Sequence, residues 1–348
     1  LDGAQAGIRA LGYVGKWLVV GPFDNEGKGG FSRAYGPEED RAEPLAIGKA
    51  YDGKERPTRW RGVPESAAYG WSDVGAWVRP SEKTCVYVTT FVRDARKKPA
   101  ARPISLWVGA AGAVKVWWNG AKVLEDDKYR DLDVDRAAAG VVLRPGYNRL
   151  LAKVCGDEDP GRLALRIGGP DGGEGADVEV SADPSHANEA AAQRFKKDDG
   201  AKAPALEGPL ARFERLEKSG DPAAMEALAR WLVVSEADDP AEHRARELAR
   251  KAAEKAPTID RVLFAGDLSE DRNQRGAWID KAEDLLAKSG TPRDRVKVLL
   301  ARASHVRGGA NWRDAVPYYD KVLAIEPDDT SALLARTELY TEAGLRET

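Results

Sequence analysis

Apolar and polar positions alternate in two different rhythms along this chain, and the rhythm changes near residue 182. Before that point the apolar runs are short, rich in valine and tryptophan, and repeat every second residue, as strands do. The run Cys85-Val86-Tyr87-Val88-Thr89-Thr90-Phe91-Val92 carries apolar groups on both faces, which predicts a central strand covered on both sides. Ile104, Leu106 and Val108 alternate with Ser105 and Trp107 in a second strand. Val114-Lys115-Val116-Trp117-Trp118 runs into Asn119-Gly120 and then Ala121 to Leu124, a hairpin whose two turn residues both accept positive φ. Val141 to Leu143, the turn Arg144-Pro145-Gly146-Tyr147-Asn148, Leu150 to Cys155 and Leu163 to Ile167 close the set. Strands at these intervals, with no helical stretches between them, predict an antiparallel β-sandwich.

Beyond the change the chain becomes rich in alanine, leucine, glutamate and arginine at helical spacing. Prolines stand at Pro222, Pro257, Pro292 and Pro327, each 35 residues from the next. Each follows one helical run and precedes another, so its ring stops the first and presets φ for the second. Ala245 and Ala252 precede Pro257, and Ala315 and Tyr319 precede Pro327, small residues and an aromatic where paired helices approach. The unit before Pro292 has Asp280 in place of alanine, with Ala282 and Leu286 able to serve after a two-residue slip. Helices are predicted over 207–219, 222–235, 239–256, 258–269, 273–289, 292–307, 310–326 and 329–344. The pattern resembles a degenerate tetratricopeptide repeat. The fold class is therefore a multi-domain β + α chain: an antiparallel β-sandwich over 1–181, a charged linker over 182–206 and a helical solenoid over 207–348. Leu333, Leu334, Leu339 and Tyr340 form an apolar stripe on the last helix that calls for a covering helix, so the natural chain is expected to continue past Thr348.

The series Val116-Trp117-Trp118-Asn119-Gly120, then Leu143-x-Pro145-Gly146-x-Asn148-x-Leu150 and Val154, resembles the galactose-binding-like jelly-roll domain of bacterial glycosidases. Trp17 to Asn25 is similar to the first strand and loop of such domains on large secreted bacterial proteins. Some of those continue into tetratricopeptide repeats and a transglutaminase-like domain. The resemblance implies an extracytoplasmic chain, periplasmic or at the cell surface, and a non-catalytic role, since the matching part of the glycosidases is not their catalytic part.

Charge narrows the partners. With 54 basic and 57 acidic residues the net charge is -3, which offers no broad positive surface to nucleic acid. No apolar run nears the roughly 20 residues of a membrane helix. The opening Leu1-Asp2-Gly3 is expected to be a processed end. Cys85 and Cys155 either pair or sit as buried thiols, and their place in strand-like runs favours thiols. Of the tryptophans available to stack on a sugar (Trp60, Trp71, Trp77, Trp107, Trp117 and Trp118), parity turns Trp118 inward and makes Trp117, with Asn119, the surface candidate. Asp24-Asn25 and Asp157 with Asp159 supply hard oxygens of the kind calcium takes, without the spacing of a calcium loop. Asp131, Asp133 and Asp135 read as one solvent-facing strand side. Arg230, Lys297 and Arg307 are candidates to line the surface where the repeats meet a peptide.

Three histidines lie far apart, and no nucleophile elbow, phosphate loop, dinucleotide fingerprint or zinc-protease helix occurs. The expected function is a non-catalytic interaction or scaffold protein that binds a protein partner or a further domain, without a cofactor. The alternatives are a carbohydrate-binding module on a helical stalk, taking a polysaccharide, and the accessory front region of a transglutaminase-like enzyme.

Overall fold

The computed structural model describes residues 2–66, 69–198, 200–235, 239–309, 311–342 and 344. The chain divides after Arg212 into two units, each described by itself.

The first unit opens with helix α1 (Asp2–Ala10) and is otherwise built on strands. Strands β1 (Leu18–Asp24), β2 (Tyr51–Asp52), β3 (Pro57–Thr58) and β4 (Arg61–Gly62) precede the long β5 (Thr84–Asp94) and β6 (Arg102–Ala111). Then come β7 (Ala113–Trp118), β8 (Ala121–Asp126), β9 (Ala137–Leu143), β10 (Asn148–Cys155), β11 (Arg162–Gly168) and β12 (Val178–Ser181). The large sheet runs in the order β4-β1-β5-β10-β7-β8, with β12 also paired to β5; β11-β6-β9 form the second sheet and β2-β3 a small ribbon. All pairings are antiparallel. The core between the two sheets takes the inward set that the period of two predicts: Val86 and Val88, Val114, Val116 and Trp118, Leu150 and Val154 on one side, Ile104, Leu106, Val141 and Leu165 on the other.

Two turns fix the geometry of this framework through their side chains. Asn119 (φ 48°) and Gly120 (φ 83°) both adopt positive φ, as the hairpin turn between β7 and β8 requires. Asn148 Nδ2 donates to the carbonyls of Arg144 and Gly146 at 2.8 and 3.0 Å, and its Oδ1 accepts from Asn119 Nδ2 at 2.8 Å. One buried amide thus joins the Arg144–Asn148 turn to the hairpin.

The second face of the large sheet is covered as fully as the first. Leu18, Val20, Tyr87, Phe91, Trp117 and Leu151 point away from the sandwich core into a second apolar cluster with Phe31, Tyr35, Tyr51, Trp60, Ala187 and Ala190. These partners come from the segment 26–60, with its short helices α2 (Gly29–Ser32) and α3 (Gly36–Glu39), and from helix α4 (Ala187–Ala192). Parity places Trp117 and Trp118 on opposite faces as expected, but Trp117 is only 2% exposed, because the face expected to meet solvent meets this cover. The stretch 182–206 is likewise not a free linker. Asp183 caps a short 3-10 turn, and Ala187, Ala190 and Gln193 are buried on the sandwich.

Carbonyls of the cover that come to lie over the sheet need donors. Lys115, Lys153 and Tyr87 stand side by side on β7, β10 and β5 and supply them. Lys153 Nζ is fully buried and donates to the carbonyls of Phe31 (3.0 Å) and Arg33 (2.7 Å) and to Glu38 Oε2 (3.2 Å). Lys115 Nζ donates to Phe31 O at 2.9 Å, and the Tyr87 hydroxyl to Glu38 Oε2 at 3.0 Å. All three protons of the Lys153 ammonium are satisfied, so this is a strut rather than an activated amine.

Cys85 and Cys155 face one another in the β5–β10 register and form a disulfide, Cα to Cα 4.0 Å, which corrects the expectation of buried thiols. Asp131, Asp133 and Asp135 do not share a strand face either. Asp135 has φ 59°, which breaks the extended path, and Asp133 and Asp135 pair with Arg136 (3.2 Å) and Arg166 (2.8 Å).

In the second unit the described residues form α5 (Pro209–Glu217), α6 (Pro222–Ser235), α7 (Asp239–Lys255), α8 (Ile259–Asp267), α9 (Arg272–Ser289), α10 (Pro292–Arg307), α11 (Val316–Ile325) and α12 (Thr330–Glu342). Pro222 and Pro292 are first residues of helices, whereas Pro257 and Pro327 lie in the turns just before them. The helix expected over 310–326 is shorter: Ala310 lies outside the described residues, Trp312–Ala315 is a 3-10 turn, and Pro317 sits in the first turn of α11. Residues 343 and 345–348 of the last expected helix also lie outside the described residues. Ala245, Ala252, Ala282, Ala315 and Tyr319 are buried, whereas Asp280 is exposed and Leu286 half-buried. The apolar stripe of α12 splits, with Leu339 buried while Leu333 and Leu334 are exposed.

Two outcomes follow for stability. Burial pushes the Lys153 amine down to about 8, whereas an unfolded lysine keeps its proton to about pH 10.4. The unfolded state therefore binds more protons across that window, and stability should rise with pH from about 8 to 10, by up to about 3 kcal/mol. Tyr87, pushed up by burial and by Glu38, opposes this only above about pH 10. Urea unfolding at stepped pH should show the rise in the natural chain and a flat profile in Lys153→Met; equal slopes in both would refute the assignment. Replacing Cys85 and Cys155 together by alanine should lower stability by about 2 to 4 kcal/mol. The natural chain with reductant should move toward the same urea midpoint, and a midpoint that ignores both changes would mean the bond does not form.

Candidate functional site

The residues that the sequence proposes for binding are mostly engaged in holding the chain together. The Trp117 ring is enclosed in the second cluster, and the Asn119 side chain bridges Asn148 and the backbone N–H of Arg149. Arg230 pairs with Glu226 at 3.0 Å and lies 4.1 Å over the ring of Phe264. Lys297 reaches Asp260 at 2.6 Å, and Arg307 reaches Glu338 and Glu342 at 3.0 and 2.9 Å. Arg230 and Lys297 both reach α8, at Phe264 and Asp260, and Arg307 ties α10 to α12.

The acidic loops proposed for calcium do come together. Asn25 Nδ2 donates to Gly156 O at 2.8 Å and to the Tyr129 hydroxyl at 3.0 Å, which joins the loop after β1 to the loop after β10. Their carboxylates are matched to lysines instead: Asp24 to Lys54 (3.4 Å), Asp157 to Lys28 (3.4 Å) and Glu158 to Lys83 (3.1 Å). Asp159 is exposed on the same loop. The lysine ammoniums supply the positive charge a cation would bring, and among the described residues no group of three acidic, histidine or cysteine side chains is arranged around a common point.

Two features of the sandwich stand open to solvent. The first is aromatic. Tyr69 is 69% and Trp71 37% exposed, with ring centres 5.5 Å apart and planes 32° from parallel. Gly70 between them has φ 87°, a conformation that turns both rings out on one side of a tight bend. The sequence names Trp71 among the available rings but not Tyr69, and nothing in periodicity separates Trp71 from the enclosed Trp60, Trp117 and Trp118. Trp107 is half-buried, with Arg166 5.1 Å over its ring.

The second is a groove of about 320 Å³ between the β3–β4 segment and the 3-10 turn Gly75–Trp77. Arg56, Arg59, Arg61 and Arg79 line it with the half-buried Trp77, and among the described residues no acidic side chain does. Backbone carbonyls set the guanidinium groups: Arg56 donates to Arg79 O at 3.2 Å, Arg79 to Ala76 O and Val78 O at 2.9 and 2.6 Å, and Arg61 to Trp77 O. Each fork keeps further N–H donors free, since a guanidinium carries five. The run Arg56-Pro57-Thr58-Arg59-Trp60-Arg61 is a legible signal for this site; Arg79 joins it only through the fold.

No family model matches the chain, and no curated protein matches it. Among solved structures, a β-glucosidase from Kluyveromyces marxianus in complex with glucose aligns at 9% identity over 44% of this chain and 15% of its own, with a TM-score of 0.26. The PA14 domain of the antifreeze protein MpAFP aligns at 12% identity over 47% of this chain and 90% of its own, TM-score 0.27. A GH31 α-xylosidase from Xanthomonas citri aligns at 14% identity over 50% and 19%, TM-score 0.26. The chain therefore spans less than a fifth of either enzyme, and scores of this size assign it no function.

Proposed function

We propose that this chain is a non-catalytic, extracytoplasmic carbohydrate-binding protein, with the glycan held by the sandwich and the helical unit acting as an interaction scaffold. The exposed Tyr69–Trp71 pair carries the reading. Aromatic rings left in water forgo the stabilisation of burial, and two neighbouring rings turned to one side offer the flat apolar faces on which the C–H faces of sugars stack. The Cys85–Cys155 bond supports an oxidising compartment. Support for a protein partner on the helical unit comes from Leu333 and Leu334, 43% and 65% exposed on α12.

The test is retention of the full chain on immobilised polysaccharides. Trp71→Ala and Tyr69→Ala should each weaken binding by about tenfold or more while leaving the unfolding midpoint in place. Trp117→Ala, by contrast, removes a buried ring and should cost about 3 to 5 kcal/mol of stability. Retention that is unchanged in both platform variants, or no retention on any glycan, would refute the proposal.

A further inference from the structure

We propose that the arginine-lined groove is a second glycan contact, specific for the carboxylate or sulfate groups of an acidic polysaccharide. The inference rests on the carbohydrate reading and names its ligand class. Its basis is separate from the aromatic platform.

Four guanidinium groups around one groove repel one another, and elsewhere this protein matches such charges. Arg93 pairs with Glu179, Arg144 with Asp198, Arg166 with Asp135 and Arg302 with Asp280 and Glu283. The contrast is sharp with a groove of about 500 Å³ in the helical unit, where Arg272 and Arg302 share the wall with Glu283 and Asp314. Here, among the described residues, Arg56, Arg59, Arg61 and Arg79 have neither an acidic partner nor an acidic neighbour along the wall. Three of the four are fixed by carbonyl acceptors, so their forks are held in place before any ligand arrives. Such a fork fits a carboxylate or sulfate through two parallel N–H···O bonds, which a lone lysine cannot supply. Arg59 is exposed and among the described residues has no internal acceptor, so it is the member whose loss tests binding without disturbing the fold. The half-buried Trp77 ring beside these donors adds an apolar face. Charged groups for the acid and a ring for the sugar are the combination an acidic glycan requires. A nucleic acid would use the same two elements, so single-stranded DNA is tested as the competing occupant.

The experiment measures binding of the full chain to polygalacturonate, dextran sulfate, the neutral polysaccharides dextran, xylan and cellulose, and single-stranded DNA. One or both acidic glycans should bind about tenfold or more tighter than any neutral one, and this margin should fall about tenfold between roughly 0.05 M and 0.5 M salt. Arg59→Gln should remove about tenfold in affinity for the acidic glycan at low salt, and Arg59→Lys less, with unfolding midpoints unchanged. Preference for polygalacturonate or for dextran sulfate identifies the group as carboxylate or sulfate. Equal, salt-insensitive binding of neutral glycans would overturn this inference and leave the carbohydrate reading standing. DNA bound as tightly as the best glycan would overturn the assignment of the groove, and binding to no glycan would overturn both readings.

Discussion

The central strands of the large sheet, β5, β7 and β10, have no face turned to water, and the rest of the first unit is arranged around that constraint. A sheet covered on one side by a second sheet needs apolar residues on only one side. Here β5, β7 and β10 carry them on both, so a second cover is obligatory, and the segment 26–60 with helix α4 provides it. That cover contains little regular structure, so its carbonyls must find donors below. Lys115 and Lys153, rising from the sheet, meet that need, with Glu38 lying over them to balance the charge. A buried lysine that makes three hydrogen bonds is costly to place but strongly directional, and it fixes where the cover can sit. The groove lies where the end of this cover meets the turn at Trp77, so its geometry descends from the same fastening.

Periodicity revealed much of this architecture because strands and helices impose it on the sequence. The alternation in Val114 to Trp118 places Trp117 and Trp118 on opposite faces, and that placement holds. What lies beyond a face is a different matter. Strands of two residues, such as β2, β3 and β4, leave no period to detect, so the cover over Trp117 cannot be seen in the pattern of its own residues. Cys85 and Cys155 show the same limit. Each sits in a recognisable strand, yet the bond depends on those strands being neighbours at a register that brings position 85 opposite 155. The candidate site divides in the same way. Arg56, Arg59 and Arg61 are adjacent in sequence, while Arg79 enters through a turn, and the exposure of Trp71 depends on the bend at Gly70.

In the helical unit the prolines mark the phase well because a ring that cannot donate a backbone hydrogen bond acts locally. The charged residues mislead for the opposite reason. Arg230, Lys297 and Arg307 look like free surface cations along the chain, but Glu226 one turn earlier pairs with Arg230, and helix packing brings carboxylates from distant positions within reach of Lys297 and Arg307. Exposed pairs of this kind add little stability singly. Their effect is on which helix lies against which.

Several of these ties span one full repeat: Arg261 to Glu226, Lys255 Nζ to Gly220 O and Arg307 to Glu342, each 35 residues apart. The residues one further period away do not repeat these pairs: Val296 follows Arg261, and Arg272 precedes Arg307. Each tie therefore belongs to its own two helices, and a helix moved to another place in the row would bring its donor against a residue that does not accept it. The order of the helices is in this way written into contacts that no other order would satisfy.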